Sequence, residues 1–380
     1  MDLQNSMIQY LQNRKEDILF RKLKIIKELI DFSSNDYLGL SKSAYLHQLL
    51  ENDYKNHIFE NSGATGSRLL TGNHVAIEEL EAILADFHHA AAALVFNSGF
   101  DANVGLLSTV IRKEDIVFFD EYIHASLHQG IKLSNCKSVK YNHNDCIDLQ
   151  NKLQLERNAN GNIFIVTESV FSMEGDKADL ITINEISKRY NAYLIVDEAH
   201  ATGILGTNGS GYCNELQIEQ DCFARVYTFG KAIGSHGAVV VGSTLLKEYL
   251  VNFSKNFIYT TALDLHTILR VKHTYLSTQI IINQQNKLNK LINYFKCCKN
   301  QLLDSYEVLG DGPIFGILVN GNQNCLDLAT FLQNNNLDVR AILSPTVTKG
   351  KERLRIILHS FNTNQQIDAL FSLLNAYKQQ

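Results

Sequence analysis

Short apolar runs, separated by segments of helical spacing, occupy the middle of the chain. The runs read AALVF, DIVFFD, NIFIVTES, YLIVDEA, RVYTF and GAVVVGS, in this order between residues 92 and 243. Runs that are apolar on both faces are typical of buried strands in a mostly parallel sheet. Because strands alternate with helices, the pattern predicts an α/β domain with right-handed crossovers.

The two ends of the chain carry a different pattern. The first 30 residues are rich in charge and predict a helix with Leu11, Ile18 and Leu19 on one side. A segment over 263–303 that is rich in Leu, Ile, Lys and Asn also predicts a helix. Beyond it, the strand-like runs GPIFGILVNG and RLRIILHSF alternate with helical segments, which predicts a small α+β domain.

These patterns divide the chain into three parts. We expect an N-terminal helix and arm over 1–45, a large domain over 46–270, and a linker helix with a small C-terminal domain over 271–380. The length of 380 residues favours more than one domain, since a domain typically has roughly 150 residues. The large domain holds the predicted sheet, so a ligand site is expected there.

Composition and charge narrow the classes of function. The hydrophobic share of 45% and the charged share of 20% are those of an ordinary soluble globular protein. A net charge of -5 gives no electrostatic reason to expect nucleic acid or an anionic membrane as a partner. The first residues lack the apolar core of a signal peptide, and no apolar run approaches the roughly 18 residues of a membrane-spanning helix. The seven cysteines are scattered without metal-ligand spacing, so we expect reduced thiols, no metal site and a cytoplasmic location.

Several of the apolar runs end in polar residues. In an open α/β sheet, ligands bind outside the carboxyl ends of the strands, so polar residues there are candidates for a site. A lone polar residue at a strand end is usually a turn or a helix cap, and only the combination is informative. The polar clusters are Asn97–Gly99, Asp120, Glu168–Ser169, Asp197–His200 and Thr228–Lys231.

Lys231 lies on a glycine-flanked turn, within RVYTFGKAIGSHGAVVVG, between two apolar runs. A lysine after a strand is usually a surface residue, but a buried lysine amine forms Schiff bases readily. An acid such as Asp197 that faces a ring nitrogen is the partner that pyridoxal phosphate requires, and His200 is within reach of the same ring. Gly99 opens a predicted helix whose free N–H groups and dipole suit a phosphate. Lysine, acid and phosphate seat together predict a cofactor site.

Eight motifs extend this prediction over nearly the whole chain. They are DFSSNDYLGLS, GATGSRLLTGN, NSGFDAN, DEYIHASLHQG, ESVFSMEGDKADL, LIVDEAHATGILGTNGSG, YTFGKAIGSHGAVVVG and SPTVTKGKERLRI. In order and spacing they resemble the α-oxoamine synthases, pyridoxal-phosphate enzymes of aminotransferase fold type I. The resemblance implies a large domain of mostly parallel sheet with a smaller C-terminal α+β domain. It also implies decarboxylative condensation of an amino acid with an acyl thioester.

The resemblance implies roles for the residues that match the family's motifs. Lys231 is implied to form the Schiff base with the cofactor, Asp197 to pair with its pyridinium nitrogen, and His124 to stack on its ring and act in catalysis. The other implied cofactor contacts are Gly99, Phe100, Ser172, His200, Thr228, Thr260 and Thr261. The implied substrate contacts are Arg21, Asn35, Thr346 and Arg355. The guanidinium of Arg355 is implied to hold the amino-acid carboxylate, a bidentate task that suits arginine.

Substrate and assembly follow from the same resemblance. Within the family, the chain is most similar to members that join L-alanine to a pimeloyl thioester, carried by CoA or an acyl carrier protein, in the biotin pathway. Sister activities stay open, namely serine palmitoyltransferase, a sulfonolipid-type synthase and 2-amino-3-ketobutyrate CoA ligase. A catalytically inactive subunit of the same fold is a further alternative, which the presence of Lys231 disfavours. The resemblance implies a homodimer with shared active sites, in which the segment YTTA over 259–262 reaches the neighbour's phosphate.

One residue of the lysine motif departs from the family's usual pattern. His236 stands where many relatives have a smaller residue. An altered pocket is one interpretation, but a packed histidine is the commoner role and is the one we expect.

Overall fold

The structure is a computed structural model that describes residues 2–23, 25, 28–56, 63–156, 161–299 and 306–378. Residues 300–303, the end of the helix predicted over 263–303, lie outside the described residues. The chain divides into two compact units. The larger unit is Asn35–Ser172 with Lys177–Lys287, and the smaller is Met1–Ser34, Met173–Asp176 and Leu288–Gln380. The domain boundaries at 45 and 270 stay a prediction.

Helices and strands are numbered in chain order. The strands are β1 Ile30–Asp31, β2 Ala92–Phe96, β3 Ile116–Asp120, β4 Lys137–Tyr141, β5 Ile163–Glu168, β6 Tyr193–Asp197, β7 Ala224–Thr228, β8 Ala238–Gly242, β9 Val308–Leu309, β10 Ile314–Leu318, β11 Leu337–Asp338, β12 Arg340–Ile342 and β13 Arg353–Ile357. The helices are α1 Leu3–Glu16, α2 Ala44–Asn56, α3 Val75–Phe87, α4 Gly99–Val110, α5 Ala125–Ser134, α6 Cys146–Leu155, α7 Leu180–Arg189, α8 Tyr212–Glu215, α9 Thr244–Phe253, α10 Lys255–Ile258, α11 Leu265–Leu276, α12 Thr278–Lys299, α13 Asn322–Asn334 and α14 Asn364–Lys378. Two short 3-10 turns cover Leu40–Lys42 and Thr207–Gly209.

The larger unit is built on one sheet. Within its described residues, seven strands pair in the order β2-β8-β7-β6-β5-β3-β4. Neighbours from β7 to β4 are parallel, whereas β8 is antiparallel to both β2 and β7. The prediction of a mostly parallel sheet is therefore confirmed, and β2 points the same way as β7 because two antiparallel pairings separate them.

The apolar runs form the core of this unit. Strand residues facing one side pack with α4 and α5, and those facing the other side pack with α3 and α11 or with α6 and α7. In β7 all five residues are buried, as expected of a strand covered by helices on both faces. This burial on two faces explains why the runs are continuous rather than alternating.

Strand β4 was not predicted from the sequence. Its residues read KSVKY, and only Tyr141 is buried. The strand pairs with β3 alone, at the edge of the sheet. Charged side chains on edge strands discourage pairing with other chains, and they also remove the apolar pattern that reveals a strand.

The smaller unit contains an antiparallel sheet. Within its described residues, four strands pair in the order β12-β13-β10-β9, and β1 pairs separately with β11 in parallel. Helices α13 and α14 each bury an apolar face. The prediction that this part of the chain forms a small unit of strands and helices is confirmed.

Two helix predictions are wrong in their limits. Helix α1 ends at Glu16, so Ile18 and Leu19 do not share a helical face with Leu11. Ile18 has a φ of 61°, a left-handed conformation that cannot continue a helix. The helix predicted from 263 is interrupted at Ser277, where ψ is 50° and the backbone leaves helical geometry. Serine is prone to such breaks because its hydroxyl competes for backbone hydrogen bonds.

Candidate active site

A cavity of about 240 Å³ lies at the end of the large sheet where most of its strands have their carboxyl termini. The carboxyl ends of β2, β3, β5, β6 and β7 meet there, because these strands point the same way. The lining residues are Asn35, Ser98, Gly99, Phe100, Asn103, His124, Ser126, Glu168, Asp197, Ala199, His200, Thr228, Gly230, Lys231, His236 and Gly237. The cavity therefore collects predicted residues that lie up to 196 positions apart, from Asn35 to Lys231.

Lys231 is carried by the tight loop between β7 and β8. The N–H of Gly234 donates to the carbonyl of Lys231 at 2.9 Å, and the N–H of Ser235 donates to the carbonyl of Phe229 at 2.8 Å. Gly234 has a φ of 67° and would bring a Cβ within 2.3 Å of the Ser41 nitrogen. This position requires glycine on both counts. The loop holds the half-buried lysine at the cavity wall.

Asp197 ends strand β6 and is 4% exposed. Its Oδ1 accepts a hydrogen bond from the Ala199 N–H at 2.9 Å, and its Oδ2 accepts one from Asn103 Nδ2 at 2.6 Å. Each carboxylate oxygen thus has one protein donor, and each keeps acceptor capacity for a further partner. A carboxylate held in this way is a fixed negative charge on the wall of the cavity.

His124 caps the N-terminus of α5. Its imidazole contacts Ser126, the second residue of that helix, at both the hydroxyl and the backbone N–H. Its Nδ1 lies 2.7 Å from Ser126 Oγ and accepts from the Ser126 N–H at 3.2 Å. The Ser126 hydroxyl in turn accepts from Asn103 Nδ2 at 3.0 Å. Hydrogen bonds therefore link His124 through Ser126 and Asn103 to Asp197.

Two charges act on the His124 ring from inside the cavity. His124 is exposed as a residue, but partial desolvation of its imidazole lowers its pKa and is the largest cause of the shift. The Asp197 carboxylate acts in the opposite direction, and the Lys231 ammonium lowers the pKa further. The net direction is downward, so the ring is neutral at neutral pH. Both charged groups therefore lie within electrostatic range of His124.

His200 belongs to a second hydrogen-bonded chain. It is 5% exposed, and its Nδ1 lies 2.7 Å from the hydroxyl of Tyr37. The same hydroxyl lies 3.3 Å from Asn35 Oδ1. Tyr37 is fully buried, so it orients both cavity residues without facing the cavity itself.

The N-terminus of α4 forms part of the cavity wall. Ser98 caps the helix, with its Oγ accepting from the Asp101 N–H at 3.0 Å. The N–H groups of Gly99 and Phe100 come before the first backbone N–H that donates within the helix, which is that of Ala102 to the Ser98 carbonyl, so they remain available to an anion. A Cβ on Gly99 would lie 2.6 Å from Thr228 Cγ2, so glycine permits the close approach of α4 to β7.

Three predicted cofactor contacts lie away from the cavity lining. Ser172 is half-buried beyond the end of β5 and is not among the lining residues of the described chain. Thr260 and Thr261 border a separate, much smaller cavity, where Asn97 Nδ2 donates to Thr260 Oγ1 at 2.9 Å and to the Thr261 carbonyl at 2.6 Å. Their roles stay predictions.

The smaller unit holds the remaining predicted residues. Arg21 and Thr346 are exposed, and Arg355 is 8% exposed in β13. The neighbouring arginine of the same motif, Arg353, is engaged internally: its guanidinium pairs with Glu174 at 3.1 Å and donates to the carbonyls of Met173 and Lys351. Arg353 therefore makes contacts that stabilise the fold of this unit.

Sequence reasoning missed several residues of the cavity wall. Asn103 and Ser126 lie inside helices, where no local pattern distinguishes them from packing residues. The interpretation of His236 as a packed histidine is wrong, because it is exposed and lines the cavity just before β8 begins. Asp120, a candidate at the end of β3, instead closes a loop by accepting from the N–H groups of Tyr122 and Asn144.

The described residues also bear on metal binding and on membrane insertion. Among those residues, no group of three or more His, Cys, Asp or Glu side chains is placed to hold a metal ion. No helix in the same residues has the length and apolar character to cross a membrane.

The chain is similar to known proteins over nearly its whole length. Residues 27–373 match the family model described as aminotransferase class I and II. The chain is 39% identical to the 8-amino-7-oxononanoate synthase of Emericella nidulans, over 99% of this chain and 96% of the relative. It is 36% identical to the enzyme of the same name from Lysinibacillus sphaericus, over 95% of both chains.

Solved structures agree with the fold. The 8-amino-7-oxononanoate synthase of Francisella tularensis superposes with a TM-score of 0.78 at 32% identity, covering 92% of this chain and 98% of the other. The serine palmitoyltransferase of Sphingomonas wittichii has a TM-score of 0.89 at 24% identity, covering 99% and 98%. The second likeness shows the fold alone, whereas the first is joined by full-length relatives of the same name. The chain therefore belongs to the class I and II aminotransferase family and, within it, to the α-oxoamine synthases.

Proposed function

We propose that the protein is a pyridoxal-phosphate-dependent acyltransferase that condenses L-alanine with a pimeloyl thioester. The products are 8-amino-7-oxononanoate, CO2 and the free thiol carrier, CoA or acyl carrier protein, in biotin biosynthesis. The observation that carries the proposal is the single cavity that holds Lys231, Asp197 and His124 beside the N-terminus of α4. It occurs in a chain that is 39% identical to a curated 8-amino-7-oxononanoate synthase.

The cavity's residues fit pyridoxal phosphate. Lys231 offers an amine for covalent attachment, and Asp197 offers a buried, oriented carboxylate for the ring nitrogen. The N–H groups at Gly99 and Phe100 offer a seat for the phosphate, with Thr228 beside them. When bound, the cofactor supplies the electron sink that allows a carbanion to form at the amino-acid Cα.

Lys231 and Asp197 divide the proton chemistry. The Lys231 Nζ removes the Cα proton of alanine and returns a proton to the product after carbon dioxide has left. The Asp197 carboxylate keeps the proton on the cofactor's ring nitrogen by presenting a fixed negative charge to it. Neither role requires either residue to move far, because both already line the cavity.

His124 acts on the acyl substrate. A neutral imidazole that accepts at Nδ1 carries its proton on Nε2, and this N–H donates to the thioester carbonyl oxygen. The new bond joins the alanine Cα to the thioester carbonyl carbon, and the carbon–sulfur bond breaks to release a thiolate, which takes a proton from solvent. The bond from Cα to the carboxylate then breaks and releases CO2. His124 thus stabilises the oxygen on which negative charge develops.

We assign the amino-acid carboxylate to Arg355. The assignment follows from the match of Arg355 to the second arginine of the family's motif RLRI, and a guanidinium can hold a carboxylate in bidentate fashion. Asn35 is proposed to lie near the same carboxylate, and Arg21 and Thr346 to contact the acyl chain or its carrier. Ser172 and His200 complete the proposed contacts to the cofactor ring.

We further propose a homodimer in the cytoplasm with shared active sites. Thr260 and Thr261 do not line this chain's own cavity, which agrees with a role toward the phosphate of a neighbouring subunit. The large cofactor-binding domain is proposed to span 46–270, between an N-terminal arm over 1–45 and a C-terminal part over 271–380.

Substrate choice is tested by turnover. The purified holoenzyme is given alanine, serine, glycine or cysteate with pimeloyl-CoA, palmitoyl-CoA or a short acyl-CoA, and the product is identified by mass. Alanine with pimeloyl-CoA should give the highest kcat/KM. Serine should bind with only modest discrimination, since an apolar pocket rejects an added hydroxyl by about 10²-fold at most. Binding alone is therefore not decisive, and product formation is.

The alternatives predict different outcomes of the same assay. A higher kcat/KM for serine with palmitoyl-CoA would replace the proposal with the sphingolipid activity. Glycine with a short acyl-CoA as the best pair would favour the ketobutyrate ligase. A chain that binds cofactor without converting any pair would be a regulatory subunit. Omission of each substrate in turn provides the control.

The phosphate seat gives a second prediction. Gly99→Ala should weaken cofactor binding about 10-fold, because the new Cβ meets Thr228 Cγ2 at 2.6 Å and displaces the N–H groups of the helix. Thr228→Ser keeps the hydroxyl and removes that methyl group. The double variant should therefore recover most of the affinity, as measured by fluorescence titration. Equal affinity for Gly99→Ala and the unaltered protein would exclude Gly99 from the seat.

A further inference from the structure

Asn103 occupies a central place in the cavity wall. It lies on α4, one turn after Gly99, and is 2% exposed. Gly130 lets α5 approach closely: a Cβ there would lie 2.8 Å from Leu107 Cβ and 3.0 Å from the Asn103 carbonyl oxygen. This close packing brings the Asn103 side chain against Ser126, at the start of α5.

The orientation of the Asn103 amide is set by its neighbours. Its Nδ2 donates to Asp197 Oδ2 at 2.6 Å and to Ser126 Oγ at 3.0 Å, which uses both of its hydrogens. Its Oδ1 is buried and has no hydrogen-bond partner within the described residues. Rotating the amide by half a turn would place Oδ1 against the Asp197 carboxylate, where two acceptors repel. The unpartnered oxygen is thus the consequence of serving Asp197.

A fixed donor at Asn103 determines the direction of the next hydrogen bond. The Ser126 hydroxyl accepts from Asn103, so its own hydrogen is directed to His124 Nδ1 at 2.7 Å. The Ser126 N–H donates to the same Nδ1 at 3.2 Å. With two donors directed at Nδ1, the neutral imidazole must carry its proton on Nε2.

We propose that Asn103 is a positioning residue that orients the Asp197 carboxylate and, through Ser126, holds His124 as the neutral Nε2–H tautomer. The proposal rests on the proposed function, in which Asp197 meets the cofactor's ring nitrogen and His124 donates to the acyl carbonyl. One amide would then set the geometry of the electron sink and the direction of the catalytic hydrogen bond. Such a link would hold the Asp197 carboxylate and the His124 imidazole in their orientations while substrates exchange.

The chain provides a matched control. Asn184, on α7, is also buried at 4% exposure, donates from Nδ2 to the carboxylate of Asp221 at 2.8 Å, and leaves a buried Oδ1 without a partner among the described residues. It does not line the cavity. Asn103→Ala and Asn184→Ala each remove an amide donor from a carboxylate, so both should lower the melting temperature. Asn103→Ala should lower it more, because Asn103 also bonds Ser126 and its partner Asp197 is 4% exposed, whereas the side chain of Asp221 is 32% exposed.

The first measurement follows the His124 tautomer by nitrogen NMR on the full-length protein with labelled histidine, with and without cofactor. The unaltered protein should show the Nε2–H form. Asn103→Ala and Ser126→Ala should each populate the Nδ1–H form and raise the pKa of His124, because the Ser126 hydrogen bond is then freed or lost. Asn184→Ala should leave both unchanged.

The second measurement uses the holoenzyme. Asn103→Ala should lower kcat by about 10- to 100-fold, as loss of an outer partner of a site ligand typically does, and should shift the pH profile of the cofactor's absorbance. Ser126→Ala should spare that absorbance profile, since the bond from Asn103 to Asp197 remains. Asn103→Asp can donate to Asp197 only while its carboxyl is protonated, so its activity should be confined to the acid side of the profile.

Two results would overturn the proposal. One is a His124 proton on Nδ1 in the unaltered protein. The other is an Asn103→Ala variant that matches Asn184→Ala in tautomer, absorbance profile and kcat, which would reduce Asn103 to a packing residue. Should Asn103→Ala not fold, Asn103→Asp and Ser126→Ala carry the same comparison. The NMR result requires no turnover, so it fails or holds separately from the proposed reaction, which the product assay decides.

Discussion

Lys231→Ala is expected to abolish the absorbance of bound cofactor near the visible edge and to stop turnover. The lysine is the amine at the cavity wall, and its loss removes the covalent attachment and the proton acceptor together. General-base catalysis alone contributes about 10²- to 10⁴-fold to the rate, so kcat should fall by at least about 10²-fold. The absorbance spectrum and the product assay measure the two effects independently.

The control for this substitution is a lysine elsewhere in the same unit. Lys188 lies on α7, with 58% of its side chain exposed, and pairs with Asp221. Lys188→Ala should keep both the spectrum and kcat. Borohydride treatment of the unaltered holoenzyme should fix the cofactor to one peptide, the one that contains Lys231. A cofactor fixed at another lysine, or an active Lys231→Ala variant, would refute the assignment.

Asp197→Asn is expected to retain cofactor but to lose kcat by about 10²-fold or more. A neutral amide cannot hold a proton on the ring nitrogen, so the carbanion at Cα is stabilised less. The substitution also leaves the Ala199 N–H or Asn103 Nδ2 without an acceptor, because an amide has one oxygen for two donors. The free energy of unfolding should therefore fall by about 1–3 kcal/mol.

A second carboxylate at a strand end provides a control that separates an effect on stability from an effect on catalysis. Asp120 ends β3, is 1% exposed and accepts from the N–H groups of Tyr122 and Asn144, yet it does not line the cavity. Asp120→Asn should lower the melting temperature while the exchange of the alanine Cα proton with solvent continues. That exchange should slow sharply in Asp197→Asn. Equal exchange rates in the two variants would show that Asp197 is not the ring-nitrogen partner.

Much of the large sheet is predictable from local pattern. Continuous apolar runs such as RVYTF are buried on both faces, so their pattern predicts a central strand without reference to the rest of the chain. Strand β4 has no such pattern, because its edge position exposes Lys137 and Lys140. The helix break at Ser277 and the early end of α1 also escaped prediction, since periodicity is insensitive to a single change in backbone angle.

The polar strand ends were informative for a topological reason. Parallel strands deliver their carboxyl ends to one edge, so Asp197 and Lys231 could be expected to meet once a parallel sheet was predicted. The same logic proposed Asp120, which the structure instead uses to close a loop. Position at a strand end thus identifies candidates for the site but does not decide which residues line it.

The sequence by itself determined the chain order of the buried strands in the large sheet, the family, and the identity of the lysine, carboxylate and helix N-terminus that share one end of those strands. These features depend on local spacing and on residues adjacent in the chain. Only the tertiary structure decided that Asn103 bonds Asp197 and Ser126, which lie 94 and 23 positions away. That contact depends on how closely α4 and α5 approach each other and on the rotation of a single amide. No local periodicity encodes either, because hydrophobic pattern fixes which face of a helix is buried but not which polar group on that face meets a partner.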